Sequence, residues 1–116
     1  MAKRGRGPRR LKAPSSDYAD AEGNVLTLRG SLTPGARLEY AQALAANPLS
    51  REDAWQRAVE LLFERLAVRW TIAGAPIDRQ RELLARYRVA SASERAWVRE
   101  TLRAHCCEHF PELNAP

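Results

Sequence analysis

The spacing of apolar and polar residues predicts a short β-hairpin followed by helices. Residues 25–29, VLTLR, are rich in β-forming residues and lie between the turn residues Glu22-Gly23-Asn24 and Gly30. We expect this strand to pair with residues near Tyr18. A lone hairpin is marginally stable in water, so this one must pack on the helices or pair with the edge of another chain.

Start and stop signals place three of the helices. Thr33 can cap a helix that has Pro34 in its first turn, and Ser91 with Glu94 fits a capping box. The three helices are predicted over residues 34 to about 46, about 78 to 89, and 91 or 93 to about 109.

The second helix is predicted from Ser50 to about Ala73, where Gly74 and Pro76 end it. One apolar stripe contains Trp55, Val59, Leu62, Leu66 and Trp70. A second stripe contains Leu61, Val68 and Ile72. A helix that is apolar on most sides must be covered on most sides. We favour a central position in the domain, and the alternative is that the second stripe is a partner interface.

These elements predict a mainly α protein, with about four helices in a compact bundle, a short N-terminal β-hairpin and a disordered basic arm. The 116 residues are enough for one domain. We assign residues 1–16 to a basic, disordered arm and linker, and residues 17–116 to a single helical domain.

The positive charge is concentrated at the N-terminus. Residues 1–12 contain six basic and no acidic residues, a charge of +6: Lys3, Arg4, Arg6, Arg9, Arg10 and Lys12. Residues 13–116 contain 13 arginines and 14 acidic residues, a charge of −1. Such an arm suits a nucleic acid, because phosphate contacts release counterions. A solubilising tail without a specific partner and an acidic protein surface are the alternatives.

The fourth helix adds a second group of basic residues. Arg95 and Arg99 are four residues apart and have no acidic residue at helical spacing, whereas Arg103 has Glu100 nearby. The third helix contributes Arg79, Arg81, Arg86 and Arg88. The closely linked helix pair has the outline of a helix-turn-helix, but the fourth helix lacks the Asn and Gln that usually recognise adenine. The arginine stems can equally cover the core.

The C-terminal segment contains the residues that most suggest metal or thiol chemistry. His105 and His109 share a helix face, but two histidines are too few for tetrahedral zinc. Cys106 and Cys107 are near the helix C-terminus, where the dipole opposes a thiolate. Adjacent cysteines fit disulfide geometry poorly, which indicates a reducing compartment. We therefore expect no catalytic residue, metal or cofactor, and no enzyme activity. The least favoured alternative is an enzyme or metal protein built on His105 and His109.

Two segments carry a resemblance to a known class. The strand Leu26-Thr27-Leu28-Arg29 precedes the helices, and the segment from Trp70 to Pro76 joins two of them. Together they resemble small phage-type assembly or chaperone proteins, which contain a similar strand and a Trp-hydrophobic-x-Gly-x-Pro connection. The resemblance implies a role in assembly.

The sequence therefore predicts a small non-enzymatic helical adaptor whose basic arm contacts DNA or RNA, or an assembly that contains it. Arg95 and Arg99 would extend the contact surface. The alternative is a protein–protein assembly module, or a phage-type chaperone-like protein, which acts on a second copy or another protein through Leu61, Val68 and Ile72. No run of apolar residues is long enough for a membrane span, and no apolar segment follows the basic N-terminus, so we expect a cytoplasmic protein without membrane contact.

Overall fold

A computed structural model describes residues 14–45 and 51–113, which form a four-stranded antiparallel sheet and four helices. The elements in chain order are β1 (Ser15–Ala19), β2 (Val25–Arg29), α1 (Pro34–Ala45), α2 (Arg51–Leu66), β3 (Ala67–Ile72), β4 (Ala75–Ile77), α3 (Gln80–Arg88), α4 (Ala92–His109) and a short 3-10 helix (Pro111–Leu113). The described part is 61% helix and 20% strand. The predicted mainly α bundle with a lone hairpin is therefore wrong, and the protein is mixed α/β.

The sheet has the strand order β1-β2-β3-β4, and each hairpin is followed by two helices. Strand β2 pairs with β1 in the predicted place, with Tyr18 opposite Leu26. Asp20 stabilises the connecting turn, since its Oδ1 accepts hydrogen bonds from the backbone N–H groups of Glu22 at 2.8 Å and Asn24 at 3.0 Å. Local turn chemistry thus sets the register of the first hairpin.

The second predicted helix is wrong in its last turns, because α2 ends at Leu66 and the chain continues directly into β3. Trp70 lies opposite Leu26 in the sheet and is only 2% exposed. Residues 68–72, VRWTI, are mostly β-branched or aromatic and pack well on a pleated surface. Leu62, Leu66 and Trp70 are all buried, but the first two belong to α2 and the third to β3. Their helical spacing is therefore a coincidence and does not reflect one continuous helix.

The turn between β3 and β4 consists of Ala73 and Gly74, with φ angles of 51° and 81°. Two successive residues with positive φ are typical of the type I′ turn, which matches the twist of a β-hairpin. The backbone N–H of Ala73 also donates a hydrogen bond to the side-chain oxygen of Asn24, 3.0 Å away. This bond ties the turns of the two hairpins together.

The helices cover one face of the sheet. Leu26 and Leu28 are fully buried in the core with Trp70, whereas Arg29 and Arg69 are exposed. Thr27 alternates away from the two leucines but is also buried, and its hydroxyl donates a hydrogen bond to Asp17 at 2.7 Å. The sheet therefore has a helix-covered apolar face and an opposite polar face, as expected for an antiparallel sheet in two layers.

Phe63 joins the sheet to two helices. Its ring, fully buried on α2, stacks on Tyr87 of α3 with centroids 5.0 Å apart. It also lies at 67° to the ring of Trp70, with centroids 5.9 Å apart. Both distances lie in the range of favourable aromatic pairs. This aromatic cluster fixes α2 and α3 against β3.

The predicted starts of the first and last helices are confirmed. The Thr33 hydroxyl oxygen accepts a hydrogen bond from the backbone N–H of Ala36 at 3.1 Å, and α1 starts at Pro34. At α4, Ser91 and Glu94 form the reciprocal capping box. These caps satisfy N–H groups that have no partner within the helix.

The β3–β4 turn makes a prediction about stability. Replacing Ala73 by Asn should raise the free energy of unfolding by about 1 kcal/mol, because Asn tolerates the left-handed region better than Ala. Replacing Gly74 by Ala should lower it by about 1–2 kcal/mol through backbone strain alone, since its φ is +81° and the added Cβ meets no atom within 4 Å. Urea denaturation of both variants tests this, and equal stabilities would contradict the type I′ assignment.

Candidate anion-binding groove

A groove of about 410 Å³ lies between α2, α3 and α4. Its lining residues are Gln56 and Glu60 of α2, Tyr87 and Arg88 of α3, and Ala92, Arg95, Ala96 and Arg99 of α4. Three arginines and one carboxylate thus meet at the junction of three helices. The formal charge of the lining is positive, and its two alanines leave room beside the arginines.

Arg95 and Arg99 form one wall of the groove. They are four residues apart on α4, a spacing that places them on one helix face. The Arg95 guanidinium donates a hydrogen bond to the carbonyl oxygen of Ala90, which uses one of its five N–H groups. Within residues 14–45 and 51–113, neither arginine forms an ion pair with a carboxylate. Both guanidinium groups therefore have donors for an external anion.

The third arginine of the groove is paired. Arg88 donates hydrogen bonds from Nε and a terminal nitrogen to the same Glu60 oxygen, at 3.2 and 2.8 Å. Glu60 is the one acidic residue in the lining. The pair joins α2 to α3 across the groove.

Tyr87 lies at the base of the groove, 7% exposed, with its ring stacked on Phe63. Burial raises the pKa of its hydroxyl, the charge of Arg99 opposes that rise, and the charge of Glu60 adds to it. The groove charges therefore act on the hydroxyl of this buried residue, which remains protonated at neutral pH. Arginine forks bind phosphate and carboxylate groups bidentately, so the arrangement is suited to anion binding.

The structure brings together some of the predicted nucleic-acid-binding residues. Arg95 and Arg99 both line the groove, whereas the six basic arm residues, Lys3, Arg4, Arg6, Arg9, Arg10 and Lys12, lie outside the described residues. Arg86 does not line the groove: it pairs with Glu94 at 2.8 Å and lies over the ring of Trp70. Sequence analysis missed Gln56 and Glu60, because the contribution of α2 depends on tertiary packing.

The three predicted interface residues do not form a helical stripe. Leu61 is on α2, whereas Val68 and Ile72 are on β3. All three are partly buried, and Leu61 and Ile72 pack against the core. Val68 lies where the pairing of β2 with β3 shifts register, since Thr27 is opposite Arg69 and Leu28 is opposite Ala67. The continuous apolar helix on which the interface prediction depended is absent from the described residues.

His105 is a buried link between α4 and the first hairpin. Its Nε2 lies 2.9 Å from the carbonyl oxygen of Arg29, and its Nδ1 lies 2.7 Å from the hydroxyl of Tyr18. The carbonyl can only accept, so Nε2 carries the hydrogen and Nδ1 accepts from the tyrosine. Both ring nitrogens are therefore engaged in the fold.

The neighbouring residues do not complete a metal or nucleophile site. The ring of His109 lies 4.4 Å from that of His105, centre to centre, but no group of three or more His, Cys, Asp or Glu in the described ranges could hold a metal ion. Cys106 is buried, which raises its pKa to about 11, whereas Cys107 is exposed. The Cys106 thiol is therefore protonated at neutral pH.

We found no match to this chain among protein-family models, curated proteins or solved structures. Among the described residues, none of the helices has the length and apolar character needed to cross a membrane.

The buried histidine predicts a pH dependence of stability. Burial lowers the pKa of His105, opposed by its hydrogen bond to the Arg29 carbonyl. Below the ordinary histidine pKa of about 6.5, His105 therefore binds a proton more readily in the unfolded chain than in the folded protein. The free energy of unfolding consequently falls as pH falls, by up to about 1.4 kcal/mol per pH unit. Urea denaturation between about pH 7.5 and 5.5 should show this loss in the wild type and in His109→Gln, but not in His105→Gln. The reverse assignment of the two variants would contradict the prediction.

Proposed function

We propose that the protein is a non-enzymatic adaptor that binds nucleic acid, or an assembly containing it, through the groove and the basic arm. The observation that carries the proposal is that Arg95 and Arg99 share one wall of the groove without a carboxylate partner among the described residues. Of the ten described arginines outside the groove, five pair with a carboxylate and five do not. The groove differs because it brings two unpaired arginines to one concave wall, where an external anion can contact both.

Arginines would be sufficient for binding, without a larger recognition surface, if the contacts are made to phosphates. Each phosphate neutralised by a basic side chain releases a condensed counterion, which favours binding regardless of base sequence. The α4 wall contributes alanines and arginines but no Asn or Gln, and the one amide side chain in the lining is Gln56 of α2. We therefore assign the groove to the sugar-phosphate backbone and expect little sequence preference.

The arm would add six phosphate contacts to those of the groove. Its basic residues lie within twelve positions of the sequence and contain no acid to compete with a phosphate. We place this binding in the cytoplasm, without cofactor or membrane, and with DNA and RNA as equally suitable polymers.

Substitution of the two regions tests this function. We expect binding to a single-stranded oligonucleotide that weakens steeply with salt. Replacing the six arm residues Lys3, Arg4, Arg6, Arg9, Arg10 and Lys12 by Gln should remove most of the affinity and flatten the salt dependence. Replacing Arg95 and Arg99 by Gln should weaken binding about tenfold, roughly threefold for each lost phosphate contact.

The control for the groove is Arg79→Gln with Arg81→Gln, since this variant loses the same charge at exposed positions that do not line the groove. It should weaken binding by about twofold or less through net charge. Fluorescence anisotropy at two salt concentrations measures all forms. An equal loss in the two double variants would show that the groove has no special role.

A protein partner is the second candidate function, and it includes the phage-type chaperone-like role. The observation that favours it is an exposed apolar residue on each of two adjoining helices: Leu38 of α1 is 59% exposed and Trp55 of α2 is 43% exposed. Large apolar side chains of this kind are typical anchors when they contact a partner. They suit this role better than Leu61 and Ile72, which pack inward.

Replacing Leu38 and Trp55 by Gln should abolish self-association with little change in the melting temperature, because neither side chain belongs to the buried core. Analytical ultracentrifugation of wild type and variant measures the association. A wild-type protein that remains monomeric at high concentration would contradict self-association and leave only a different protein as partner.

A further inference from the structure

We propose that Glu60 competes internally for Arg88, so that a polyanion gains the third arginine of the groove only by displacing this carboxylate. The inference rests on the proposed function and specifies how the groove selects its ligand. A ligand with one phosphate engages the α4 wall, whereas a chain of neighbouring phosphates also takes Arg88. Glu60 thereby determines the affinity of the groove for polymers.

The geometry of the pair supports displacement. Both Arg88 contacts go to one oxygen of Glu60, at 2.8 and 3.2 Å, so this is not the two-oxygen fork in which arginine and carboxylate bind most strongly. The side chains are 58% and 35% exposed, respectively. Exposed ion pairs are weak because water and salt screen them. A phosphate that enters the groove can therefore exchange places with the carboxylate.

The other arginine pair of this region has a different role. Glu94 pairs with Arg86 at 2.8 Å, and both side chains are largely buried, at 31% and 26% exposed. Glu94 also completes the capping box of α4 through the backbone N–H of Ser91. Its loss would damage a helix start. In the described part of the chain, Glu60 accepts no hydrogen bond from a backbone N–H at a helix start, and it lies in the groove lining itself.

The groove charges make Glu60 the main obstacle to anion entry. Its carboxylate faces Arg88 directly and acts, with Arg99 and Arg95, on the hydroxyl of Tyr87. Removing its charge frees the Arg88 guanidinium and removes repulsion against an incoming phosphate. One further phosphate contact should tighten binding by about three- to tenfold and make the slope of log K against log salt steeper by about 0.7–0.9.

The test uses the full chain with Glu60→Gln, which keeps the length and helix propensity of the side chain. The matched control is Glu100→Gln. Glu100 likewise pairs with an arginine, Arg103 at 2.5 Å, but neither residue lines the groove. Binding to a single-stranded oligothymidylate is measured by anisotropy across a salt titration. We expect about a three- to tenfold gain for Glu60→Gln and less than about twofold for Glu100→Gln.

A double-mutant cycle with Arg88→Gln identifies the arginine that is released. Arg88→Gln should have little effect in the wild type, because a phosphate contact with Arg88 is offset there by the loss of its pair with Glu60. It should cancel the gain in the Glu60→Gln background. Equal gains for Glu60→Gln and Glu100→Gln, or a gain that survives Arg88→Gln, would overturn the inference. Retained binding that needs Arg95 and Arg99 but ignores Glu60 would overturn it while leaving the proposed function intact. No wild-type binding to the oligonucleotide would overturn both.

Discussion

The contact on which the rest of the structure depends is the packing of Phe63 between Trp70 and Tyr87. It joins α2, β3 and α3, and all three rings are almost fully buried. Without it, the sheet face formed by Leu26 and Leu28 would lose the cover that α2 provides. Tyr87 is also the base of the groove, so the same ring that completes the core fixes where the arginines of α3 and α4 meet.

The placement of two unpaired arginines on one wall, rather than net charge, distinguishes the groove from the rest of the described surface. Residues 13–116 have a charge of −1, which suggests no preference for anions. Arg37, Arg57, Arg65, Arg86, Arg88 and Arg103 each have a carboxylate within ion-pair distance. Arg95 and Arg99 have none among the described residues, and the same holds for Arg29, Arg51, Arg69, Arg79 and Arg81, but Arg95 and Arg99 share one wall of the groove. A nearly neutral domain can therefore present a local positive surface where arginines outnumber acids.

Local sequence was sufficient to place the first hairpin and the starts of α1 and α4. Strand β2 pairs with residues near Tyr18 as predicted, and Ser91 with Glu94 caps α4, because turn and cap chemistry acts over a few residues. It was insufficient at residues 67–72, where helical spacing and β propensity disagreed and pairing with β2 decided the outcome. A hairpin with Ala at the first turn position also lacks the usual Asn-Gly signal.

The groove shows the same division between local and tertiary information. The four-residue spacing of Arg95 and Arg99 predicted a shared face, and they do share one wall. Glu60 and Gln56 enter the groove because Phe63 holds α2 against α3, and no short-range pattern encodes that contact. The same packing pairs Arg88 with Glu60, which is 28 positions away. The sequence therefore could not show that Arg88 already has a carboxylate partner.

The hydrogen bond between His105 and Tyr18 joins the strand that follows the arm to the helix that carries the groove arginines. Tyr18 belongs to β1, the first described strand after the arm, and His105 lies on α4, the helix that carries Arg95 and Arg99. At about 1.5 Å per residue, Arg95 lies roughly 15 Å along α4 from His105. Twelve residues can span up to about 40 Å when extended. Under the proposed function, one polyanion would contact both regions, and the second contact would form at the high effective concentration that a short tether provides.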